Sequence, residues 1–348
     1  MSVYLKGRGA QTALANKFQR LNYQPEIPYA NHEKIGKLLT RVFYESPRNI
    51  LSKNDSPDIP FTYSINPYQG CEHGCVYCYA RNSHEYWGFN ASIDFESKII
   101  AKPDAPLLLR KKFLSRSWDP QTVVMSGNTD CYQPVERKLK ITRNLLKVFL
   151  EFGNPVGIIT KNVLVLRDMD LLTELAKEGL VHIIFSITSL NEELRQKLEP
   201  RSSTAHKKMI AIRKLKEKGI PVSVMFSPVI PALNDHEIPA MIRESSVSGA
   251  DDINMTLIRL NGVIGVIFRD WLRRNYPDRE NKIINQIKSL HNGNLNESRF
   301  GYRMRGEGHL ARSIIHLFKT VRSHYYNSPR SSELNTHAFR RNSMHSLF

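Results

Sequence analysis

Short β-branched runs recur through the middle of the chain about every 30 residues, each followed by a stretch with apolar positions at helical spacing. The runs are Thr122–Ser126, Val156–Thr160, Leu180–Ile187, Ile220–Phe226 and Asp252–Leu257, with Ser92–Ile100 as an earlier strand. Between them, Val135, Leu139, Leu146 and Phe149 mark one helical face, and Ile210, Ile212 and Leu215 mark another. Gly179 and the Gly219-Ile220-Pro221 step read as helix stops leading into strands. Strands alternating with helices at this period predict βα units on a parallel sheet. Six such units suit an α/β fold of the partial (β/α)6 TIM-type barrel kind, although a doubly wound open sheet has the same rhythm. In either fold, ligands collect at the C-terminal ends of the strands.

The flanks have a different texture. Residues 1–60 lack a sustained period and contain Lys6-Gly-Arg-Gly9, which predicts an N-terminal arm that wraps the domain or stays mobile. The rhythmic core spans residues 61–267. A basic helical extension follows over 268–326, with helical patterns in Phe268–Tyr276, Lys282–Leu290 and His309–Val321. The polar residues 327–348 are expected to be a disordered tail.

Charge sharpens this division. The net charge is +17, and the last segment carries most of the excess: residues 268–348 hold 15 basic against 6 acidic side chains. The core, residues 61–267, is nearly balanced, at 26 against 22. Such a basic segment is the electrostatic footprint of a polyanion binder, so DNA or RNA is an expected partner. Ordinary solubility charge is the competing explanation. Within the extension, Arg299–Gly308 combines three arginines, two aromatics and three glycines ahead of a helix start. It reads as a phosphate-binding turn, or as a structured turn whose arginines pair with carboxylates. No run approaches 18 uninterrupted apolar residues, and Met1–Arg8 has no apolar stretch of signal-peptide length. A cytoplasmic protein without a membrane partner is therefore expected.

Three of the four cysteines lie within eight residues, as Cys71, Cys75 and Cys78. Three thiolates on one loop can hold three irons of a [4Fe–4S] cluster and leave the fourth iron open for chemistry. Gly70 and Gly74 give the loop backbone room to fold around a bulky core. A zinc site is the alternative, with His73, His84 or Cys131 as fourth ligand. No second C-x2-C pair and no H-x3-5-H supports that alternative, and the cysteines are too sparse for a disulfide scaffold.

The C-x3-C-x2-C run, with Tyr77 as its internal aromatic, resembles the signature of radical S-adenosylmethionine (SAM) enzymes, and its flanks are similar to the spore photoproduct lyase-like branch. The resemblance implies a [4Fe–4S] cluster and SAM as cofactors. Reductive cleavage of SAM would then give a 5′-deoxyadenosyl radical that abstracts hydrogen from a substrate. That substrate would be a nucleic acid under repair or modification or, as the alternative, a peptide or small metabolite. A non-catalytic zinc or cluster-binding module is the remote third reading.

By the same resemblance, Ser126, Gly127 and Asn128 occupy the place of the segment that contacts the SAM amino group, without its common Gly-Gly-Glu form. Lys161 is placed for the methionine carboxylate, Ser186 for the ribose, Tyr77 beside the adenine, and Arg201 as a second carboxylate partner. Cys131 and Tyr132 are the remaining catalytic candidates, Cys131 as a hydrogen-atom donor to a product radical. With no second cysteine cluster in the sequence, the electron would come from an external donor of the flavodoxin or ferredoxin type.

Overall fold

The computed structural model describes residues 4–18, 39–326 and 333–341. Ten strands occur among them: β1 (Arg41–Tyr44), β2 (Leu51–Lys53), β3 (Tyr63–Ile65), β4 (Tyr68–Gln69), β5 (Lys98–Ala101), β6 (Val123–Met125), β7 (Val156–Thr160), β8 (Val181–Ile187), β9 (Val222–Val229) and β10 (Asp252–Leu257). The main sheet has the order β10–β9–β8–β7–β6–β3–β2. The six strands from β3 to β10 in this sheet are parallel, and β2 adds antiparallel to β3.

Their spatial order follows the chain without reversal. A doubly wound sheet would switch direction part-way, so the fold is the singly wound, open (β/α)6 barrel. Register builds the core. Ile65 pairs with Met125, Met125 with Ile158, Ile158 with Ile183, and Ile183 with Val222. All five of these side chains are fully buried. Burial on both faces explains why the strands read as continuous apolar runs.

Side-chain caps start several helices near the strand ends. Asn191 accepts from Leu194 N at 3.0 Å, and Thr204 from Lys207 N at 3.2 Å, opening Glu192–Leu198 and Ala205–Glu217.

Two expectations are corrected here. Ser92–Ile100 is not the first barrel strand. Asn90 Oδ1 accepts from Ser92 N and Asp94 N, both at 3.1 Å, and this local turn opens the helix Ile93–Ser97. Only Lys98–Ala101 is extended, and it pairs with β1 and β4 in a separate three-stranded sheet. The first barrel strand is instead β3, which is only three residues long and shows no period of its own.

The second correction concerns the tail. Residues 333–341 are docked, whereas residues 327–332 and 342–348 lie outside the described set. Asn335 N donates to Gly179 O at 3.0 Å, and Phe339 stacks on Phe152 with ring centroids 6.3 Å apart. Gly153, at φ +61°, must be glycine because Ala338 O would lie 2.2 Å from a Cβ there. The composition is polar, but Ala338 and Phe339 supply apolar contacts.

The described part of the N-terminal arm packs against the core, as Gly9 N and Ala10 N donate to the Glu96 carboxylate at 2.9 and 2.8 Å. Among the described residues, no helix is long and apolar enough to cross a membrane.

Candidate metal centre and its strand-end neighbours

The loop carrying Cys71, Cys75 and Cys78 leaves β4 and runs into a 3-10 helix, Tyr79–Trp87. It is fixed from several directions. Cys71 N donates to Phe95 O at 2.8 Å, Val76 N to Leu198 O at 3.0 Å, and Glu72 N to Gln133 Oε1 at 2.9 Å. Gly74, at φ +71°, passes so close to Glu96 that a Cβ would lie 2.9 Å from its Oε2. Beneath the loop, fully buried Arg81 donates from Nε to Cys75 O at 2.8 Å and from Nη2 to Glu96 Oε1 at 2.5 Å.

All three thiols are unbridged; Cys71 and Cys75 are buried and Cys78 partly so. Burial pushes each thiol up, and for Cys71 the charges of Asp130, Cys75 and Cys78 add to the effect. Three thiolates so close together need a positive group among them. Among the described residues, no three His, Cys, Asp or Glu side chains close on a point that could hold one metal ion. A cubane presents its irons at separate corners, and three thiols on one loop suit it. His73 is not turned toward an ion: its Nδ1 lies 3.3 Å from Asp130 Oδ2, and its Nε2 meets Asn162 Nδ2 at 3.2 Å.

Beside the loop lies a connected polar group at successive strand ends. Lys161, following β7, donates from Nζ to Ser186 Oγ at 2.9 Å and to Thr188 Oγ1 at 3.0 Å. The same Nζ is 3.0 Å from Glu199 Oε2. Glu199 also accepts from the Tyr77 hydroxyl at 2.5 Å, and Cys75 Sγ lies 3.8 Å away. Lys208, reaching in from the helix Ala205–Glu217, donates to Ser186 O at 2.9 Å and stands 3.7 Å from Glu199 Oε1.

The charges of this group set one another. Burial pushes the Glu199 carboxyl up, but Lys161 and then Lys208 outweigh it and hold it well below the usual carboxylate range. Burial is the largest single effect on Lys161 and lowers it, but Glu199, Cys75 and Asp130 together outweigh it and hold the ammonium above its ordinary value. For Lys208, burial wins, and its ammonium is brought down to about 8.

Ser126, Gly127, Asn128 and Tyr77 take the following positions. Ser126, just past β6, has φ 74°, a left-handed conformation costly for a side chain with a Cβ. Its Oγ accepts from Cys131 N at 2.8 Å. Gly127 passes Ser64 so closely that a Cβ would meet Ser64 Cβ at 2.9 Å. Asn128 donates to Gln69 Oε1 at 3.1 Å and Ser83 Oγ at 3.2 Å. Asp130 ties the segment to β7, accepting from Thr160 Oγ1 at 2.8 Å and Lys161 N at 2.7 Å. Tyr77 has its hydroxyl bonded to Glu199 and to Thr188, and its ring lies 5.6 Å from Lys161 Nζ.

Three candidates have other occupations. Arg201 pairs with Glu72 at 3.0 Å, and its backbone N donates to His73 O at 3.2 Å, so it braces the thiol loop. Cys131 is fully buried, its carbonyl accepts from Thr142 Oγ1 at 2.6 Å, and burial followed by the Asp130 charge keeps its thiol protonated. Tyr132 is fully buried and donates to Asp168 Oδ2 at 3.1 Å, a carboxylate already held by Arg143 and Arg167.

The Arg299–Gly308 segment is a structured turn. Arg299 pairs with Glu297 at 2.7 Å and Glu307 at 2.9 Å, and Arg303 pairs with Asp58 at 2.6 Å. Glu307 is the N-cap residue of Gly308–Tyr325, and its carboxylate turns to Arg299 and to Asn292 Nδ2, at 2.6 Å, rather than to the helix amides.

Glu199 and Lys208 escaped sequence reasoning. Glu199 lies two residues before Arg201, and Lys208 reads as one of several surface lysines on a basic helix. The only signal was indirect: Lys208 sits among the apolar positions of the helix, where Met209, Ile212 and Leu215 are buried.

Thiol loop, parallel barrel and strand-end cations together define a cofactor-dependent βα-barrel protein. The family model of the radical SAM superfamily matches residues 65–244. The chain belongs to that superfamily, which implies a [4Fe–4S] cluster and SAM as its cofactors.

An uncharacterised protein of Mycobacterium tuberculosis (strain ATCC 25618 / H37Rv) is 31% identical over 222 residues, covering 63% of this chain and 65% of that relative. The match thus spans just under two thirds of that relative's length. An uncharacterised protein of Methanocaldococcus jannaschii is 31% identical over 217 residues, covering 62% of this chain and 77% of its own. In fold, the chain is similar to spore photoproduct lyase complexed with dinucleoside spore photoproduct, with TM-score 0.57 and 17% identity over 82% of this chain and 79% of that one.

Proposed function

We propose that this chain is a radical enzyme whose Cys71, Cys75 and Cys78 hold a [4Fe–4S] cluster and whose strand ends hold SAM. When bound, these groups supply a reductively generated 5′-deoxyadenosyl radical that takes a hydrogen atom from a substrate C–H bond. The protein's part is placement and exclusion of water. Lys161 is the cation for a carboxylate, and its ammonium is held at the strand ends by Ser186, Thr188 and Glu199. Ser126, Gly127 and Asn128 bring a strained backbone turn to the end of β6, a fit for a small polar group. An external donor of the flavodoxin or ferredoxin type supplies the electron.

The observation that carries this reading is the continuity of the two halves. Glu199 Oε2 lies 3.8 Å from Cys75 Sγ and 3.0 Å from Lys161 Nζ, so thiol loop and strand ends form one network. Anaerobic reconstitution tests it. About four irons with matching sulfide, and 5′-deoxyadenosine released from SAM under dithionite, are expected. One zinc without sulfide and no 5′-deoxyadenosine would overturn it.

For the substrate we favour a nucleic acid, to be repaired or modified at a base. Two observations support this: the basic excess after residue 267, and a fold similar to a lyase complexed with a dinucleoside photoproduct. Pairing of Arg299 and Arg303 removes one argument for it and favours the alternative, a peptide or small metabolite. Binding of a single-stranded oligonucleotide that weakens steeply with salt is expected. No binding at low salt sinks the nucleic-acid reading and leaves the radical chemistry standing.

A further inference from the structure

Past the end of β10 stands a half-buried arginine that the neighbouring ion pairs leave out. The backbone around Arg259 is pinned, with Ile258 N donating to Val229 O at 3.0 Å and Leu260 N to Leu295 O at 2.9 Å. Its guanidinium lies 5.8 Å from the ring centre of Tyr79, the residue next to Cys78. The Tyr79 hydroxyl donates to Gly127 O at the end of β6, so Arg259 faces the thiol side of the mouth. Among the described residues, no hydrogen bond or ion pair holds this guanidinium. The nearby carboxylate, Asp58, already accepts from Gly301 N at 2.7 Å and Arg303 Nε at 2.6 Å. Burial and the adjacent Arg303 both press against the charge of Arg259.

A guanidinium partly withdrawn from water, beside a second cation and with its local carboxylate taken, is what an arriving anion would relieve. Aromatic rings flank the place: Tyr79 is 47% exposed and Phe300, under Arg303, is 56% exposed. An unpaired guanidinium among exposed rings matches a nucleotide, with phosphate on the cation and bases on the rings. We propose that Arg259 binds a backbone phosphate of a single-stranded or locally unstacked nucleic-acid substrate, at the mouth beside Tyr79. This rests on the nucleic-acid reading given above.

The test uses the reconstituted, full-length protein and a fluorescent single-stranded DNA or RNA oligonucleotide, titrated anaerobically over a range of salt. Arg259→Ala is expected to bind at least about tenfold more weakly and to lose about 0.7 from the log–log salt slope, the share of one phosphate on a single strand. Arg259→Lys should recover part of both. Arg299→Ala, whose charge is already matched by Glu297 and Glu307, should stay within about twofold of the wild type. Iron content and thermal midpoint check folding, and if Arg259→Ala fails them, Arg259→Gln against Arg259→Lys decides by the same slope. Unchanged affinity and slope in Arg259→Ala overturn the inference while the reading of the substrate stands. An equal loss in Arg299→Ala also overturns it, by showing a net-charge effect alone. A wild-type protein that binds no oligonucleotide overturns the substrate reading and this inference together.

Discussion

Lys161 Nζ and Glu199 Oε2 lie 3.0 Å apart, almost removed from water, with Lys208 Nζ 3.7 Å from the other carboxylate oxygen. Two ammonium groups therefore share one carboxylate at the ends of β7 and β8. Breaking a buried pair by removing one partner typically costs about 3–5 kcal/mol, because the other charge stays buried without compensation. Glu199→Gln should lose stability on that scale, read from denaturant midpoints of the apoprotein. Lys208→Met in that background should restore part of it, since one cation fewer remains. A Glu199→Gln midpoint equal to the wild type would show that water or a relaxed Lys161 replaces the carboxylate.

Lys208 gives the same group a pH signature. Its ammonium is brought from an ordinary value of 10.5 to about 8, chiefly by burial. Between those two values the unfolded chain binds a proton that the folded chain has released, so stability rises with pH. Below about 8, Lys208 is protonated in both states and its buried charge is a constant cost. Relative to Lys208→Met, wild-type stability should climb by up to about 3 kcal/mol between pH 8 and pH 10.5. Paired unfolding curves across that window provide the measurement. A flat difference would place the Lys208 ammonium in water.

How much of this was legible in the sequence depended on the kind of contact involved. The barrel was, because each of β6 to β9 carries an apolar run that reports burial, and β10 keeps Ile253 and Leu257 buried. β3 was not, since Tyr63–Ile65 takes its identity from pairing with Val123–Met125 rather than from a period. The thiol loop was legible as local spacing, as were Lys161 and Ser186 as polar residues ending apolar runs. Glu199 and Lys208 were not, because their meaning comes from contacts across 38 and 22 residues, to Lys161 and Ser186. For Arg299 and Arg303 the local composition allowed either a phosphate or a carboxylate partner, and the choice rests on Glu307 and the distant Asp58, which make the carboxylate-paired turn.

Cysteine replacement separates the loop from the core. Cys71→Ala, Cys75→Ala and Cys78→Ala should each abolish iron and sulfide retention after anaerobic reconstitution, because a [4Fe–4S] cluster with two protein thiolates is poorly held. Cys131→Ala should keep both at the wild-type level and cost about 1 kcal/mol of stability, as an ordinary small core truncation does. Iron and sulfide per chain, with the unfolding midpoint, check both claims. Loss of the cluster on replacing Cys131 would make it a fourth ligand and leave no open iron.

Behind the loop, Arg81 and Glu96 form a second buried pair that joins three separate stretches of chain. Arg81 holds Cys75 O and Ser92 O, while Glu96 holds Arg81 and the amides of Gly9 and Ala10. Both side chains are fully buried, so no water takes over when one is lost. Glu96→Gln keeps the shape but offers one carbonyl oxygen to three donors. It should therefore cost about 3–5 kcal/mol and free the arm before it disturbs the barrel. Hydrogen exchange at Gly9 and Ala10 should accelerate at least about tenfold, beyond any change in the strands β7 and β8. The paired variant Glu96→Gln with Arg81→Met should recover stability, because the stranded cation is gone, without recovering protection of the arm. If the arm stays protected in Glu96→Gln, its anchor is the contact of Asn16 with Glu85 O and Phe89 O rather than the buried pair.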